Sequence, residues 1–420
     1  MTTTAQLNGL IAKSQPPDGW QRLKLDDVIV EAQLGFACGE RDPNGVVQLR
    51  MNNVTNDGRL DWSSFIRVPA DADTLAAYCL KNGDVLFNNT NSTDLVGKTA
   101  LFESYDKPVV FSNHFARIRT DAEKLYPRFL ALWLQHQWQR RVFANICDRW
   151  IGQSAVQRDK LLALEIALPP LAEQKRIAGI LTEQMAAVDA ARRSAEAQLQ
   201  ATEALPAAHL RAVFNSPEAQ SWPRKKLGDH VTKVGSGFTP LGGQSSYQQS
   251  GIPLIRSQNI HMNRFERDGL AFISDGQDAE MEGSCVEKGD VLLNITGASI
   301  GRVCIAPAEL CPANVNQHVS IIRSDGFFEP AFLAFYISTP DFQKFILDSQ
   351  AGATRQALTK IMIEDFQIPF PPLDDQRRIA SQLSSQMASA ARLRQTLADE
   401  LDAINKLPAA LLREAFAGKL

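Results

Sequence analysis

One stretch of this chain occurs twice, and that repetition limits the available folds more than any other feature. Residues 168–181, LPPLAEQKRIAGIL, return at 370–383 as FPPLDDQRRIASQL, at a constant offset of 202 residues. The match continues without a gap through Ala207, Leu210, Arg211 and Phe214 to Ala409, Leu412, Arg413 and Phe416. Of these 47 aligned positions 21 are identical, far more than composition alone gives, so the chain contains an internal duplication. Trp20 and Trp222, Leu25 and Leu227, Asp27 and Asp229, and the pairs Gly35-Phe36 and Gly237-Phe238 obey the same offset. Elsewhere it drifts as loop insertions require. NGDVLFNNT at 82–90 answers KGDVLLNIT at 288–296, and His114 and Arg119 answer His318 and Arg323.

Each copy carries its own helix-start signal. Pro169-Pro170 and Pro371-Pro372 suit a helix entrance, where N–H groups have no intrahelical partner. Glu173, Asp374 and Asp375 then fall in the first turn, at the positive end of the macrodipole. The second copy continues with an apolar seam at Ile379, Leu383, Ala390, Leu393, Leu397, Leu401, Ile404 and Leu407, at helical three-and-four spacing. The first has a weaker one at Ile177, Leu181, Val188, Ala191, Ala195 and Leu199. Gln184 and Gln386 share a slot in the seam, where a buried amide can fix register. Pro206 and Pro408 are expected to kink or end each helix. The chain order is then a globular unit over 1–167, a helical spacer over 168–214, a second globular unit over 215–369 and a second spacer over 370–420.

At 420 residues the chain can bury two or three proper cores, and no apolar run approaches membrane-spanning length. The start, MTTTAQLNGLIAKSQPPDGW, lacks the basic flank and long apolar core of a secretory signal, so the expected compartment is the cytoplasm. Cysteines at 38, 79, 147, 285, 304 and 311 form no CxxC pair and have no matching histidine spacing. Buried free thiols, with no zinc and no disulfide framework, are the expectation. Residues 1–167 balance 19 basic against 19 acidic side chains, and 215–369 carry 13 against 17. A nucleic-acid binder with that balance needs its bases gathered on one face.

Inside each globular unit the runs Val46–Met51, Asp84–Phe87, Phe115–Ile118 and their counterparts Pro253–Arg256, Asp290–Leu293, Val319–Ile322 have strand length and are bounded by Gly, Asn and Asp. Helical patterns follow at about 127–147 and 330–348. Strands first and helices after fit an α+β module.

Signatures of catalysis are missing. Gly97-Lys98-Thr99 resembles the end of a phosphate-binding loop, but the glycine required five residues earlier is Ser92, and the duplicate reads Gly301-Arg302-Val303. The Pro-Pro pairs are preceded by Leu168 or Phe370, so no amide or carboxylate stands where an adenine methyltransferase motif needs one. What remains is polar recognition chemistry on loops. The first unit offers Arg50, Asn52, Asn53, Asn89, Asn91, Asn113, Gln153 and Ser154. The second offers Thr239, Arg256, Gln258, Asn259, Thr296, Ser299, Gln317, Thr354, Arg355 and Gln356. Asn and Gln pair with adenine, and Arg with guanine, through two hydrogen bonds in the major groove; the same residues also make good turns.

The repeated Pro-Pro-Leu-x-x-Gln-x-Arg-Ile-Ala at 169–178 and 371–380, each after a globular unit and ending in Leu-Pro…Phe, resembles the specificity subunit of type I restriction-modification systems. The resemblance covers almost the whole chain. It implies two target-recognition domains, each reading half of a split, asymmetric DNA site, and two spacer helices packed as an antiparallel coiled coil. It further implies a pseudo-two-fold plan and a chain that is itself no enzyme. Two methyltransferase subunits supply S-adenosylmethionine chemistry in that picture, this chain holding no cofactor, and motor-nuclease restriction subunits join for cleavage. Lys175, Arg176, Arg377 and Arg378 are the basic residues expected to meet those partners. About 33 helical residues, Ala172 to Ala204, make a rod of roughly 50 Å, on the order of 15 base pairs. The competing reading is a structural adaptor whose two globular units bind proteins at a fixed separation.

Overall fold

The computed structural model of the protein describes residues 16–349 and 357–420. They form two compact units, one made of residues 16–196 with Asp399–Leu420 and the other of residues 197–349 with 357–398. Each contains one globular α+β part, the start of the spacer helix that follows it, and the end of the other spacer helix.

The two globular parts share one topology. In unit 1 a four-stranded antiparallel sheet runs in the order Ile29–Leu34, Phe115–Thr120, Val85–Asn88, Thr99–Leu101. In unit 2 the order is Val231–Ser236, Val319–Ser324, Val291–Asn294, Val303–Ile305. Beside it Val46–Leu49 runs parallel to Val109–Phe111, as Ile252–Ile255 runs parallel to Ala313–Val315. A third pairing joins the ends of each globular part: Gln21–Lys24 with Glu165–Leu168, and Arg224–Lys226 with Gln367–Pro369. Both latter strands run directly into the Pro-Pro pairs, so the spacer helix starts from a fixed sheet edge.

Sequence periodicity located the central strands to within a residue or two but missed the closing pairs, which are three or four residues long and partly exposed. The helices expected at 127–147 and 330–348 are each broken in two. Pro127–Gln139 stops before Arg141, whose φ of 64° lies in the left-handed region. Pro330–Ile337 stops before Thr339, whose hydroxyl caps the helix beginning at Pro340.

The turns that carry NGDV and KGDV are built alike. Arg119 holds Asp84 through Nε (2.7 Å) and Nη2 (3.1 Å), as Arg323 holds Asp290 at 2.8 Å through both. Each carboxylate also accepts a backbone N–H three residues earlier, from Lys81 and Glu287. The Gly-Phe pairs mark close approaches: a Cβ on Gly35 would overlap the Ser112 carbonyl, and one on Gly237 the Val315 carbonyl.

The spacer helices are Leu171–Thr202, continued by Leu205–Phe214, and Leu373–Phe416. In unit 1 they pack antiparallel. Arg176 donates to the Leu420 carbonyl (2.6 Å), while Thr182 to Arg192 line a groove with Ala409 back to Ile404. Ile177, Leu181, Leu412 and Ala415 belong to the same core as Phe129 and Leu130. In unit 2 the pairing is again antiparallel, with Glu203 facing Arg394 (3.9 Å) and Leu210 and Phe214 sharing a core with Ile379, Leu383 and Phe332.

Several expectations for the helices need correction. Pro206 follows a break at Glu203–Ala204, where bonds tighten to i−3, but Pro408 sits inside an unbroken helix. Packing of Leu412 and Ala415 into the unit 1 core holds the turn beyond it despite the lost backbone bond. Leu393 and Leu407 leave the seam and are nearly half exposed. Gln184 and Gln386 are half-buried rather than buried, each with an Oε1 that has no partner among the described residues. Only Cys304 is fully buried, which pushes its thiol up to about 12. Among the described residues no helix is long and apolar enough to cross a membrane.

What ties each helix to its globular part is one glutamine. Gln174 is 0 % exposed; its Oε1 accepts the Tyr126 N–H (2.8 Å), and its Nε2 donates to the carbonyls of Lys124 (2.8 Å) and Pro169 (2.9 Å). Gln376, also 0 % exposed, repeats this with Glu329 N–H (2.9 Å), Phe327 (3.2 Å) and Pro371 (3.0 Å). Gln174→Ala or Gln376→Ala strands a buried N–H and two carbonyls and is expected to cost about 3 kcal/mol in denaturant unfolding. A loss under about 1 kcal/mol would refute the clamp.

His136, in the same unit 1 core, stacks on Phe416 with ring centroids 5.3 Å apart. Burial, then the charges of Arg140 and Arg413, lower its pKa to about 4. The unfolded imidazole binds its proton near pH 6.5, so stability from the neutral ring is complete above that pH and is lost as pH falls towards 4. That loss amounts to about 3 kcal/mol. His136→Phe is expected to remove this part of the acid sensitivity, read as the difference between the two unfolding profiles from pH 7 to 4.5.

Candidate nucleic-acid interface

Strand direction places the polar turns of unit 1 along one edge. Val46–Leu49 and its parallel partner Val109–Phe111 end together, delivering Arg50 to Asn53 and Asn113-His114. Val85–Asn88 ends opposite Phe115, which brings Asn89 to Asn91 beside them. The Asn89 N–H donates to the His114 carbonyl at 3.0 Å. A hairpin of Asp148–Trp150 and Gln153–Ala155 extends this edge, pairing Ser154 with Asn91 and Ala155 with Thr90. Arg50 and Asn89 are half-buried, and Asn52, Asn113 and Gln153 are exposed. Burial, and then the charge of Arg50, hold the His114 imidazole below its usual pKa.

The equivalent edge of unit 2 gathers Arg256 to Asn259, Thr296 to Ser299 and Asn316 to His318 by the same rule. Thr239 joins them by donating to Gln317 Oε1. Gln317 Nε2 lies 3.3 Å from His318 Nε2, and His318 Nδ1 lies 2.6 Å from the Thr296 hydroxyl. Four side chains from three turns thus form one polar chain. Arg256 is braced, its guanidinium 5.2 Å from the Tyr247 ring centroid and its Nη2 donating to the Gly269 carbonyl, which Gln258 also approaches at 3.1 Å. The bridge between Thr296 and Ala357 matches that between Thr90 and Ala155. Thr354, Arg355 and Gln356 lie outside the described residues.

Three of the residues named from sequence are structural rather than available to a ligand. Asn53 is 2 % exposed: its Oδ1 accepts the Arg50 N–H (2.9 Å) and its Nδ2 donates to the carbonyls of Asp61 (2.9 Å) and Ser64 (2.6 Å). Asn259 does the same for Arg256 (3.1 Å), Glu266 (3.0 Å) and Asp268 (3.3 Å). Ser154 is buried, its hydroxyl 2.8 Å from that of Thr93. These side chains shape the turns that present Arg50, Asn52, Arg256 and Gln258. Behind them Asn88 and Asn294 donate to the Met51 and Ser257 carbonyls, tying each turn to the central sheet.

The type I restriction modification DNA specificity domain, as a sequence family, matches residues 17–197 and again 220–403. The chain belongs to that family. It is similar to a putative type I restriction enzyme MjaX specificity subunit of Methanocaldococcus jannaschii, 26% identical over 88% of this chain and 87% of that protein. It is also similar to the EcoBI specificity subunit of Escherichia coli, 27% identical over 99% of this chain and 88% of that one. The fold is like that of the HsdS subunit of Thermoanaerobacter tengcongensis, with a TM-score of 0.67 at 22% identity, covering 97% of this chain and 99% of that one. A chain from a study of type I R-M assembly and conformational transition gives a TM-score of 0.70 at 24% identity, covering 97% and 100%.

In this specificity subunit the four basic residues of the repeated motif are exposed on the spacer helices. Arg176 is bound to Glu173 (2.7 Å), Arg377 lies 3.5 Å from Asp374, and Arg378 lies 3.1 Å from Asp375, while Lys175 is exposed immediately before Arg176. Sequence reasoning singled out neither the two clamping glutamines nor the hairpin tip, Trp150 and Ile151, which is 57 % and 106 % exposed. The signal for the tip was there: Trp-Ile-Gly flanked by short alternating runs. The division between turn-building and outward-facing residues has a direct consequence. Asn53→Ala and Asn259→Ala are expected to lower stability by roughly 2–3 kcal/mol, whereas Asn52→Ala and Gln258→Ala change it by under about 0.5 kcal/mol. Thermal unfolding of the four variants distinguishes the two classes, and equal losses in all four would overturn it.

Proposed function

We propose that this specificity subunit reads a bipartite, asymmetric DNA site, each unit taking one half with the edge described above. The observation that carries this is a shared edge with unlike contents. Equivalent turns present Arg50, Asn52, Asn89, Asn91 and Asn113 in unit 1, but Arg256, Gln258, Thr296, Ser299 and Gln317 in unit 2. Arg, Asn and Gln are the side chains that match base edges in the major groove by paired hydrogen bonds. Two similar scaffolds with different readers suit a site whose halves are spaced but not palindromic.

On this reading the chain performs no chemistry. Methyl transfer belongs to two methyltransferase subunits that carry S-adenosylmethionine, and cleavage to motor-nuclease restriction subunits. The duplicated helices give the two methyltransferase subunits similar surfaces, around Lys175 and Arg176 on one and Arg377 and Arg378 on the other. The complex acts in the cytoplasm, the compartment that holds the DNA it would modify. The antiparallel spacers set the separation of the half-sites, and the turns set the bases.

Methylome sequencing of cells with and without an intact copy of the gene tests the whole reading: a two-part methylated motif is expected to appear only with it. Adding one helical turn, about 5.4 Å, to both spacers is expected to lengthen the gap by one or two base pairs. An unchanged gap would sink the ruler while leaving the motif intact.

A further inference from the structure

The most exposed pair of large apolar side chains in unit 1 lies at the end of the candidate edge, at the tip of the Asp148–Ala155 hairpin. Trp150 pairs with Gln153, and Ile151-Gly152 makes the turn, Gly152 taking a φ of 79° that suits its second position. The base of the hairpin is held firmly. Lys160 pairs with Asp148 (2.5 Å), Arg149 donates to the Ala144 carbonyl (3.0 Å), and Ser154 bonds Thr93. Nothing comparable holds the tip among the described residues. Ile151 lies three residues beyond Ser154, the residue paired with Asn91, so the ribbon reaches roughly 10 Å past the polar edge.

An exposed Trp-Ile pair on an anchored ribbon calls for an occupant, and the charge of the segment that carries it indicates which. Residues 140–160 carry Arg140, Arg141, Arg149, Arg158 and Lys160 against Asp148 and Asp159, a net charge of +3 in a globular part whose total is zero. The positive charge of the first globular part is thus weighted towards the segment that carries the hairpin, with Arg141 paired to Asp94 (2.6 Å). A two-stranded ribbon fits the major groove, where the apolar feature on offer is the thymine C5-methyl group.

We propose that Trp150 and Ile151 enter the major groove of the half-site read by unit 1 and pack on thymine methyl groups, selecting thymine by apolar contact where the neighbouring turns select by hydrogen bonds. This rests on the DNA-reading function proposed above. The tip is then the part of the edge able to tell thymine from uracil, since the two bases differ only in that methyl group.

The test uses the assembled complex of this chain with its methyltransferase subunits and a duplex carrying the motif from methylome sequencing, each thymine replaced in turn by deoxyuridine. Wild type is expected to lose affinity roughly three- to tenfold at one or two thymines of a single half-site. Ile151→Ala or Trp150→Ala is expected to bind the thymine duplex more weakly and to be indifferent to those replacements, a double-mutant cycle that isolates the methyl contact. Both side chains are exposed, so unchanged thermal unfolding accompanies the effect. Several outcomes overturn the proposal: no wild-type sensitivity to any replacement, the same sensitivity in the variants, or a half-site without thymine. Loss of methyltransferase-subunit binding with methyl sensitivity retained overturns it too, and makes the tip a protein contact. Failure of the complex to enrich any sequence at all is a different result, one that removes the underlying DNA-reading function as well.

Discussion

A buried side-chain amide at the start of each spacer helix fixes how the globular part meets the helix. Gln174 and Gln376, fully buried, each close three hydrogen bonds, reaching at once to the loop that enters the helix at Pro127 or Pro330 and to the first proline of their own motif. An amide is well suited to this, because it donates and accepts in one plane; a carboxylate or an ammonium could satisfy only part of the set. The Pro-Pro pair before it contributes stiffness and the sheet edge before that contributes position. Together they remove the freedom a linker would have, so the direction of the helix is set by the globular part from which it emerges.

The same economy appears at the edge that carries the polar turns. One asparagine in each unit, Asn53 or Asn259, is consumed in folding the turn, and its neighbour is thereby pointed outward. A second layer, Asn88 or Asn294, links the turn to the sheet, each with a buried Oδ1 that finds no partner among the described residues. An unpartnered buried oxygen costs stability, and what is gained there is a fixed turn geometry. The two edges then differ in rigidity of display. Arg256 is braced against Tyr247, whereas Arg50 stands beside His114, whose imidazole pKa is lowered by burial and then by the Arg50 charge.

Much of this was legible in the chain. Duplication, α+β order, the entrance of both spacer helices and the polar loops at the strand ends follow from the repeat and from local signals: proline pairs, acids in a first turn, strand-length runs between turn residues. Less visible were short strands that close a fold by pairing residue 21 with 168, because nothing local marks a four-residue strand with an exposed face. The hairpin left a signal in its turn residues, but the exposure of its tip did not show, since a tryptophan and an isoleucine read as core until their surroundings are known.

The sequence by itself determined that the protein has two similar halves, that each begins a helix at Pro-Pro, and that its loops are rich in groups able to recognise bases. Only the tertiary structure decided which of those groups are free. Asn52 and Asn53 are the same residue type side by side, yet one is exposed and the other buried. Pro206 and Pro408 occupy the same repeat position, yet one follows a helix break and the other does not. The reason in both cases is that burial and backbone tolerance depend on partners far away in the chain. Composition and spacing specify what a side chain can do; the folded surroundings decide which of those abilities is already spent on holding the fold.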